Sequence, residues 1–318
     1  MSSDSNPIVR LARSPGPDWT KTAANVMLGR AVRDLRESAG LTQKELAQAI
    51  LVSTPTVNRL ESAETTPMQR TVDLVINYFK PDEGTRDTLM VLLSRAREPE
   101  WFQRRFGDCT PDYLHRLLGL ESMAISITTY DVRLVPGLLQ TSAYADHIVR
   151  TGLHLSEWDG PELELRLAQR LERRQRVLGQ PDPPQCIFML DQSVLGRKAG
   201  TKKTMHGQMV FLREMADLPH ITIRFVLSGR MIAGNAAAMA GSMAQLQFGR
   251  GGLPDFVYAE QYEKADYFTK PSPKHKPLTP RQNDYERHLQ LLLRIQGEGC
   301  ASPAKSRRML DKAIKRYS

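Results

Sequence analysis

The chain has 318 residues, which exceeds one average domain and suffices for two domains that each bury a core. Its 44 Lys and Arg residues against 35 Asp and Glu residues give a formal net charge of +9, which favours an acidic partner such as nucleic acid. Three widely spaced cysteines exclude a disulfide framework and a cysteine zinc motif. No apolar segment has the length of a membrane helix or a secretory signal, so we expect a cytoplasmic protein with no membrane partner.

Residues 1–20 predict a flexible amino-terminal arm. They are rich in Ser, Pro and Asp and hold few large apolar side chains. They therefore bury too little surface to offset the entropy of ordering. Two interpretations stay open: the arm takes no part in binding, or Arg10 and Arg13 contact a phosphate backbone or a minor groove.

Residues 26–61 carry the pattern of three helices. Apolar residues recur at helical spacing in 26–39. Thr42 and Glu45 stand three residues apart, the spacing of a capping box at the start of a second helix. Ser53 is placed to cap a third helix, with Pro55 in its first turn, where a missing N–H costs nothing. Two short helices joined by such a turn describe a helix-turn-helix, although a compact helical bundle without DNA shows similar patterns.

Two more helices complete the predicted amino-terminal domain. Apolar residues at helical spacing place them around 71–79 and 85–96, after a stop at Pro67. We therefore expect an all-α domain over residues 21–98. A linker over 99–111, bounded by Pro99 and Pro111, is expected to follow.

The stretch LGRAVRDLRESAGLTQKELAQAILVSTPTVNRLESAE resembles the lambda-repressor-like, xenobiotic-response-element (XRE) class of helix-turn-helix, and the resemblance covers residues 28–79. It implies a lambda-repressor-like fold that binds double-stranded DNA. The positions that match the base-reading residues of the family are Thr54, Pro55, Thr56, Asn58 and Arg59. The predicted phosphate contacts are Gln43 and Lys44, which match the family, and Arg36 and Arg70, whose charge suits phosphate oxygens.

The chemistry of these side chains suits base recognition. Arg59 can pair bidentately with guanine, and Asn58 can serve adenine or a phosphate. Glu61, by the frame of the family, is expected to tie the third helix to its neighbours. Leu51 stands where the family usually has Gly, so either the turn is altered or a left-handed Leu51 absorbs a strain of about 1 kcal/mol. Pro55 removes a long polar side chain from the tip of the third helix.

Residues 112–318 predict a larger α+β domain. Helices are expected at 112–127, from Thr141 onwards, and at 162–178, 201–215 and 302–316. The runs CIFML, ITIRFV and FVYAE predict strands, and MAQLQF is expected to pair with FVYAE across the GRGGLPD turn. Strands and helices at irregular spacing fit a small mixed sheet with helices packed on it.

The run LE..A…I..Y…..VPGLLQT..YA, from Leu120 to Ala145, resembles the carboxy-terminal domain of WhiJ-like XRE regulators of actinobacteria, a domain of unknown function. Later segments, among them RLERRQRVL, FMLDQSVLGRKAG and ASPAKSRRMLDKAI, follow in the order of that family. Gln192 stands where the family often has an acidic residue, so no role of that acid is carried over.

Two segments of this domain are candidates for binding. Residues 229–243, GRMIAGNAAAMAGSM, form either a plain packed loop or the yielding wall of a pocket or interface. The residues predicted to contact a ligand or partner are Met231, Asn235, Met239, Met243 and Tyr258. The helix at 162–178 crowds arginines around a leucine stripe, and its basic face is either solvated or part of a dimer seam or phosphate-facing surface.

Catalytic motifs are missing from the sequence. It contains no nucleophile elbow, P-loop, dinucleotide fingerprint or zinc-protease motif, and its seven histidines are scattered without metal spacing. We therefore expect no enzyme, no cofactor and no metal site.

Two functions remain. The first is a transcription regulator that binds operator DNA as a homodimer, because one recognition helix reads only a few base pairs. Its carboxy-terminal domain would dimerise and sense a small-molecule effector or a protein. The second is an antitoxin-like or co-regulator module for the small acidic partner proteins that the WhiJ-like resemblance implies. The basic end KSRRMLDKAIKRYS suits an acidic partner as well as DNA.

Overall fold

The structure is a computed structural model that describes residues 22–152, 160–228, 241–249, 253–261, 264–271 and 283–318. Its first helices are α1 (Ala23–Ser38), α2 (Gln43–Ala49), α3 (Thr54–Glu61), α4 (Gln69–Phe79), α5 (Glu83–Ala96), α6 (Gln103–Phe106) and α7 (Asp112–Glu121). The sheet and its helices follow as β1 (Ser126–Asp131), α8 (Ser142–Gly152), α9 (Gly160–Leu178), β2 (Gln185–Asp191), α10 (Lys202–Met215) and β3 (Ile221–Val226). The last elements are β4 (Met243–Gln247), β5 (Phe256–Glu260), β6 (Ala265–Thr269), α11 (Asp284–Arg294) and α12 (Pro303–Tyr317). In these described ranges no helix is both long and apolar enough to cross a membrane.

Local capping fixes where α2 and α3 begin. The Glu45 backbone N–H donates to Thr42 Oγ1 at 3.2 Å, and the Thr42 N–H donates back to Glu45 Oε2 at 2.7 Å, which completes the predicted capping box. Ser53 Oγ accepts the Thr56 N–H at 3.3 Å, and Pro55 lies in the first turn of α3. The predicted helix-turn-helix elements are therefore confirmed.

The turn between α2 and α3 contains a residue with a left-handed backbone. Leu51 has a φ of 55°, so the turn keeps the left-handed backbone and Leu51 bears its strain. Its side chain is 92% exposed and contributes no packing in return.

At the crossing of α1 with α3, a Cβ on Gly29 would lie 2.5 Å from the Leu60 carbonyl oxygen, so only glycine fits there.

Six strands form one mixed sheet in the order β3-β2-β1-β4-β5-β6. Strands β1 to β3 are parallel, whereas β4 pairs antiparallel with β1 and β5, and β6 pairs antiparallel with β5. The predicted pairing of MAQLQF with FVYAE is confirmed, with Ala244 opposite Tyr258. The predicted helix over 112–127 is wrong at its end, because residues 126–131 form the central strand β1. The sequence pattern also does not predict β6 and α11.

Helices cover both faces of the sheet. On one face, Phe188, Leu246 and Phe256 join the main hydrophobic core together with apolar residues of α7, α10 and α12. On the other face, Tyr130 and Val257 form a second core with α11. This arrangement is the expected α+β architecture, a sheet buried on both sides.

Residues 99–111, predicted as a linker, contain α6 and a buried aromatic cluster. Phe102, Phe106 and Cys109 pack against Leu118 of α7. Trp101 Nε1 donates to the Leu118 carbonyl oxygen at 3.2 Å. The segment is therefore packed into the α+β domain, since its aromatic side chains find apolar partners there.

The helical domain contacts the α+β domain directly through α1 and α7. The Ala23 N–H, at the start of α1, donates to Glu100 Oε1 at 2.9 Å. A Cβ on Gly119 would lie 2.7 Å from the Cβ of Ala23, so α1 and α7 pack closely there. Arg116 of α7 places Nη2 3.5 Å from Met27 Sδ, and its guanidinium carbon lies 4.8 Å from the centre of the Tyr267 ring. Arg116 thus touches the helical domain and the edge strand of the sheet together.

Candidate nucleic-acid interface

The outer face of α3 presents the residues predicted to read bases. Val57 and Leu60 are buried in the domain core, which turns the rest of the helix outwards. Along this surface lie the exposed residues Thr54, Pro55, Asn58 and Arg59 and the half-buried Thr56. The structure therefore brings all five predicted residues to one short surface.

Three of the predicted phosphate-contacting residues keep at least part of their side chain exposed. Lys44 near the start of α2 and Arg70 near the start of α4 are exposed, and neither forms an ion pair with a described residue. Gln43 is half-buried, and its Nε2 donates to Glu61 Oε2 at 2.9 Å. Lys44 and Arg70 are thus available to an anion, whereas the side chain of Gln43 is held against α3.

Arg36 does not lie on this surface. Its side chain is buried, and Nε and Nη2 donate to the two carboxylate oxygens of Glu61 at 2.6 and 2.9 Å. Nη1 donates to the Leu41 carbonyl oxygen at 2.8 Å. Because these bonds occupy its guanidinium, we leave Arg36 out of the proposed interface and assign it to the domain core.

Glu61 ties α3 to its neighbours, as the sequence predicts. Its side chain is fully buried and accepts from Arg36 and Gln43, and Arg33 Nε lies 3.4 Å from Oε2. Burial raises the pKa of Glu61, but the hydrogen bonds from Arg36 and Gln43 and the charges of Arg36 and Arg33 outweigh it, so the net pKa is lowered. The carboxylate is therefore ionised and holds α1, α2 and α3 in register.

The structure describes two of the five predicted effector residues, Met243 and Tyr258, and places them on opposite faces of the sheet. Met231, Asn235 and Met239 lie outside the described residues. Met243 and Tyr258 are both buried, but Met243 belongs to the core beside α11 and Tyr258 to the core on the opposite face of the sheet. Of the two, Tyr258 alone borders the polar groups under α9.

Polar side chains lie between α9 and the sheet. For the basic face of this helix the sequence left open a solvated surface, a dimer seam or a phosphate-facing surface. We call these polar side chains the α9 cluster: Glu121, Asp131, Arg170, Arg173, Tyr258 and Glu260. Arg173 donates two hydrogen bonds of 2.7 and 2.6 Å to the Glu121 carboxylate, and Glu121 is only 3% exposed. The spacing of Arg166, Arg170 and Arg173 places them on one helical face. That spacing is the only signal in the sequence, and it does not tell an inward face from an outward one.

Burial perturbs the acids of the α9 cluster. It raises the pKa of Asp131 to about 7, although the Thr129 hydroxyl donates to this carboxylate at 2.7 Å and the Arg173 charge also opposes the rise. Burial also raises the pKa of Glu260, against the charge of Arg173, the Tyr258 hydroxyl and the charge of Arg170. Perturbed titratable groups of this kind are typical of functional sites.

Comparison with known families agrees with both halves of the structure. A family described as helix-turn-helix matches residues 32–80, which run from within α1 to the end of α4. This match, an XRE-type helix-turn-helix over these residues, supports a DNA-binding regulator. A second family, domain of unknown function DUF5753, matches residues 114–311. Because this match covers more than half of the chain, the chain belongs to the DUF5753 family. No curated protein matches the chain.

Proposed function

We propose that the protein is a cytoplasmic transcription regulator that binds operator DNA as a homodimer and reads bases with the outer face of α3. The observation that carries the proposal is the placement of Asn58 and Arg59 side by side and exposed, above a buried Val57 and Leu60. Lys44 and Arg70, exposed near the starts of α2 and α4, supply salt-dependent affinity for phosphates. The α+β domain provides dimerisation and sensing of a ligand or a protein rather than catalysis.

A gel shift on the promoter of the protein's own gene tests base reading. We expect Arg59→Ala to weaken binding to the operator by about 5- to 150-fold, corresponding to the about 1–3 kcal/mol of a bidentate contact with guanine. Binding to unrelated duplexes should change little, because that binding depends on phosphates. Arg104→Ala, an exposed arginine in α6, serves as the control and should bind as wild type does.

Equal binding of wild type and Arg59→Ala to the operator and to unrelated duplexes would refute sequence reading through α3. The homodimer has its own measurement, the molar mass of the protein by light scattering after size exclusion, with and without a palindromic operator. A single protein chain on each operator would refute the dimer and leave base reading by α3 intact.

A second candidate function, binding of a small acidic protein, is favoured by the outer face of α12. Its buried face holds Leu310 and Ala313. The opposite face carries exposed cations without an ion pair to any described residue: Lys305, Arg308, Lys312, Lys315 and Arg316. Such a stripe on an amphipathic helix suits an acidic surface.

Co-expression with a small acidic protein encoded beside its gene separates the two candidates. Complex formation that survives Arg59→Ala and is lost in the double variant Arg308→Glu and Lys312→Glu supports partner binding through α12. Failure of the wild type to retain any such protein on co-purification argues against it.

A further inference from the structure

Arg170 is a largely buried cation that lacks a counter-ion among the described residues. Its neighbours on α9 have acidic partners: Arg166 Nε lies 3.7 Å from Glu162 Oε1, and Arg173 holds Glu121. No hydrogen bond or ion pair joins the Arg170 guanidinium to a residue of the described ranges. Burial lowers the pKa of Arg170 to about 10, and the positive charges of Arg173 and Arg166 contribute. A buried charge without a partner destabilises a protein, so a function is the natural reason for keeping it.

The sheet beside the α9 cluster carries small side chains on its middle strand. In the register of the strands, Thr129 of β1, Ala244 of β4 and Tyr258 of β5 stand in one row across the sheet. One row further, at the carboxyl ends of β1 and β5, Asp131 and Glu260 flank Ser242, whose carbonyl oxygen accepts the Glu260 N–H. The middle strand thus offers only the small Ala244 and Ser242 between these larger polar side chains. Carboxyl ends of parallel strands such as β1 are where open sheets commonly bind ligands.

The α9 cluster also has unused hydrogen-bonding capacity at Tyr258. The buried Tyr258 hydroxyl lies near the Glu260 carboxylate but forms no hydrogen bond of normal geometry with a described residue. Glu260 and Arg170 lie close enough to influence each other's charge, yet they form no ion pair. The α9 cluster therefore holds an arginine fork without a hydrogen bond and a carboxylate that does not pair with it.

We propose that the α9 cluster binds a small molecule that carries a carboxylate or phosphate group, held by Arg170, and a hydrogen-bond donor, held by Glu260 and Tyr258. The planar guanidinium matches two oxygens of such an anion, which supplies the missing counter-ion. The inference names a ligand class for the sensing part of the proposed function, and a regulatory role for this ligand rests on that function. A bound ligand would also lie one strand from Tyr267, which packs on the Arg116 that touches α1.

Thermal unfolding of the full chain tests the site with inorganic phosphate and with acetate, each against sodium chloride at equal ionic strength. We expect the Tm of the wild type to rise with the logarithm of the phosphate or acetate concentration above that in chloride. The larger rise tells whether a phosphate or a carboxylate suits the site. Arg170→Met should lose the rise and, because it removes an uncompensated buried charge, should have a higher Tm than wild type in chloride.

Two further variants make the test specific. Arg176→Met, on the exposed side of α9 and paired with Glu172, should keep the anion-dependent rise. Arg170→Lys keeps the charge without the planar fork and should show a smaller rise even if Arg170→Met folds poorly. The proposal is overturned if the wild type responds equally to phosphate, acetate and chloride, or if Arg170→Met lowers the Tm in chloride. A gel shift run in parallel distinguishes failure of this proposal from failure of the proposed DNA-binding function. Arg170→Met should still bind the operator whether or not the α9 cluster binds an anion.

Discussion

Removing the Glu61 carboxylate tests what holds α3, the helix proposed to read bases, in place. In Glu61→Ala, Arg36 stays buried, with its side chain only 9% exposed, and loses both of its hydrogen bonds to Glu61, which leaves the exposed Glu37, 3.4 Å from Nη2, as its one acidic partner among the described residues. Breaking a buried ion pair from one side costs about 3–5 kcal/mol, because the remaining charge is left uncompensated. At about 1.4 kcal/mol per factor of ten, opening of α3 should increase by about 10²- to 10⁴-fold.

Hydrogen exchange measured by mass spectrometry on the full chain reports this opening locally. Amides of α3 and of the start of α2 should lose protection by that factor, while those of β1 and β2 keep theirs. Asp34→Asn is the matched control, because its pair with Arg30, whose side chain is 43% exposed, contributes about 1 kcal/mol or less. A loss of protection below tenfold in Glu61→Ala would refute the assignment of a core role to this ion pair.

Protonation of Glu61 at low pH should weaken the packing of α3, as the substitution does. Its pKa is lowered in the folded state, so its contribution is present above the unfolded value of 4.5 and is lost as the pH falls through the folded pKa. Wild-type protection of α3 should therefore decline with acid below pH 4.5, and Glu61→Ala should show a weaker decline over the same range.

Three other predictions follow from single positions. Leu51→Gly should stabilise the protein by about 1 kcal/mol in urea denaturation, because it relieves a φ of 55° and removes a side chain that is 92% exposed; a loss of stability would contradict the strained turn. Gly29→Ala should destabilise by about 1–3 kcal/mol in the same assay, since its Cβ would lie 2.5 Å from the Leu60 carbonyl oxygen, and wild-type stability would show that the helices can move apart. Burial raises the pKa of Asp131 from 3.8 to about 7, so wild-type stability should fall as the pH rises between these values, and Asp131→Asn should flatten this part of a stability-against-pH curve; an unchanged slope would mean that another group titrates.

The helix-turn-helix was predictable because its signals are local. Thr42 with Glu45, and Ser53 with Pro55, define helix starts through contacts within four residues of sequence. β1 was not predictable in this way, because ITTY follows α7 without a Gly or Pro stop. It becomes a strand through its pairing with β2 and β4, which lie far along the chain.

The same reason separates exposed arginines from buried ones. Arg36 and Arg173 look like surface cations in an amphipathic pattern, but each is paired with a glutamate from a distant element, Glu61 and Glu121 respectively. Arginine carries a long apolar stem, so periodicity alone cannot tell where its charged end lies. Arg59, which has no such partner in the described ranges, stays exposed.

The close contact of α1 with α7 has a mechanical consequence. The Ala23 N–H bonds to Glu100 and Ala23 packs on Gly119, so direct contacts join the start of α1 to the domain that carries the sheet. In a dimer, the distance between two reading helices must match about one DNA turn, 34–36 Å. In such a dimer, a small rotation of the α+β domains would move the helical domains through this contact and change that distance. The proposed dimer would then release its operator because its two copies of α3 no longer match the two half-sites, with no change in any residue proposed to touch a base.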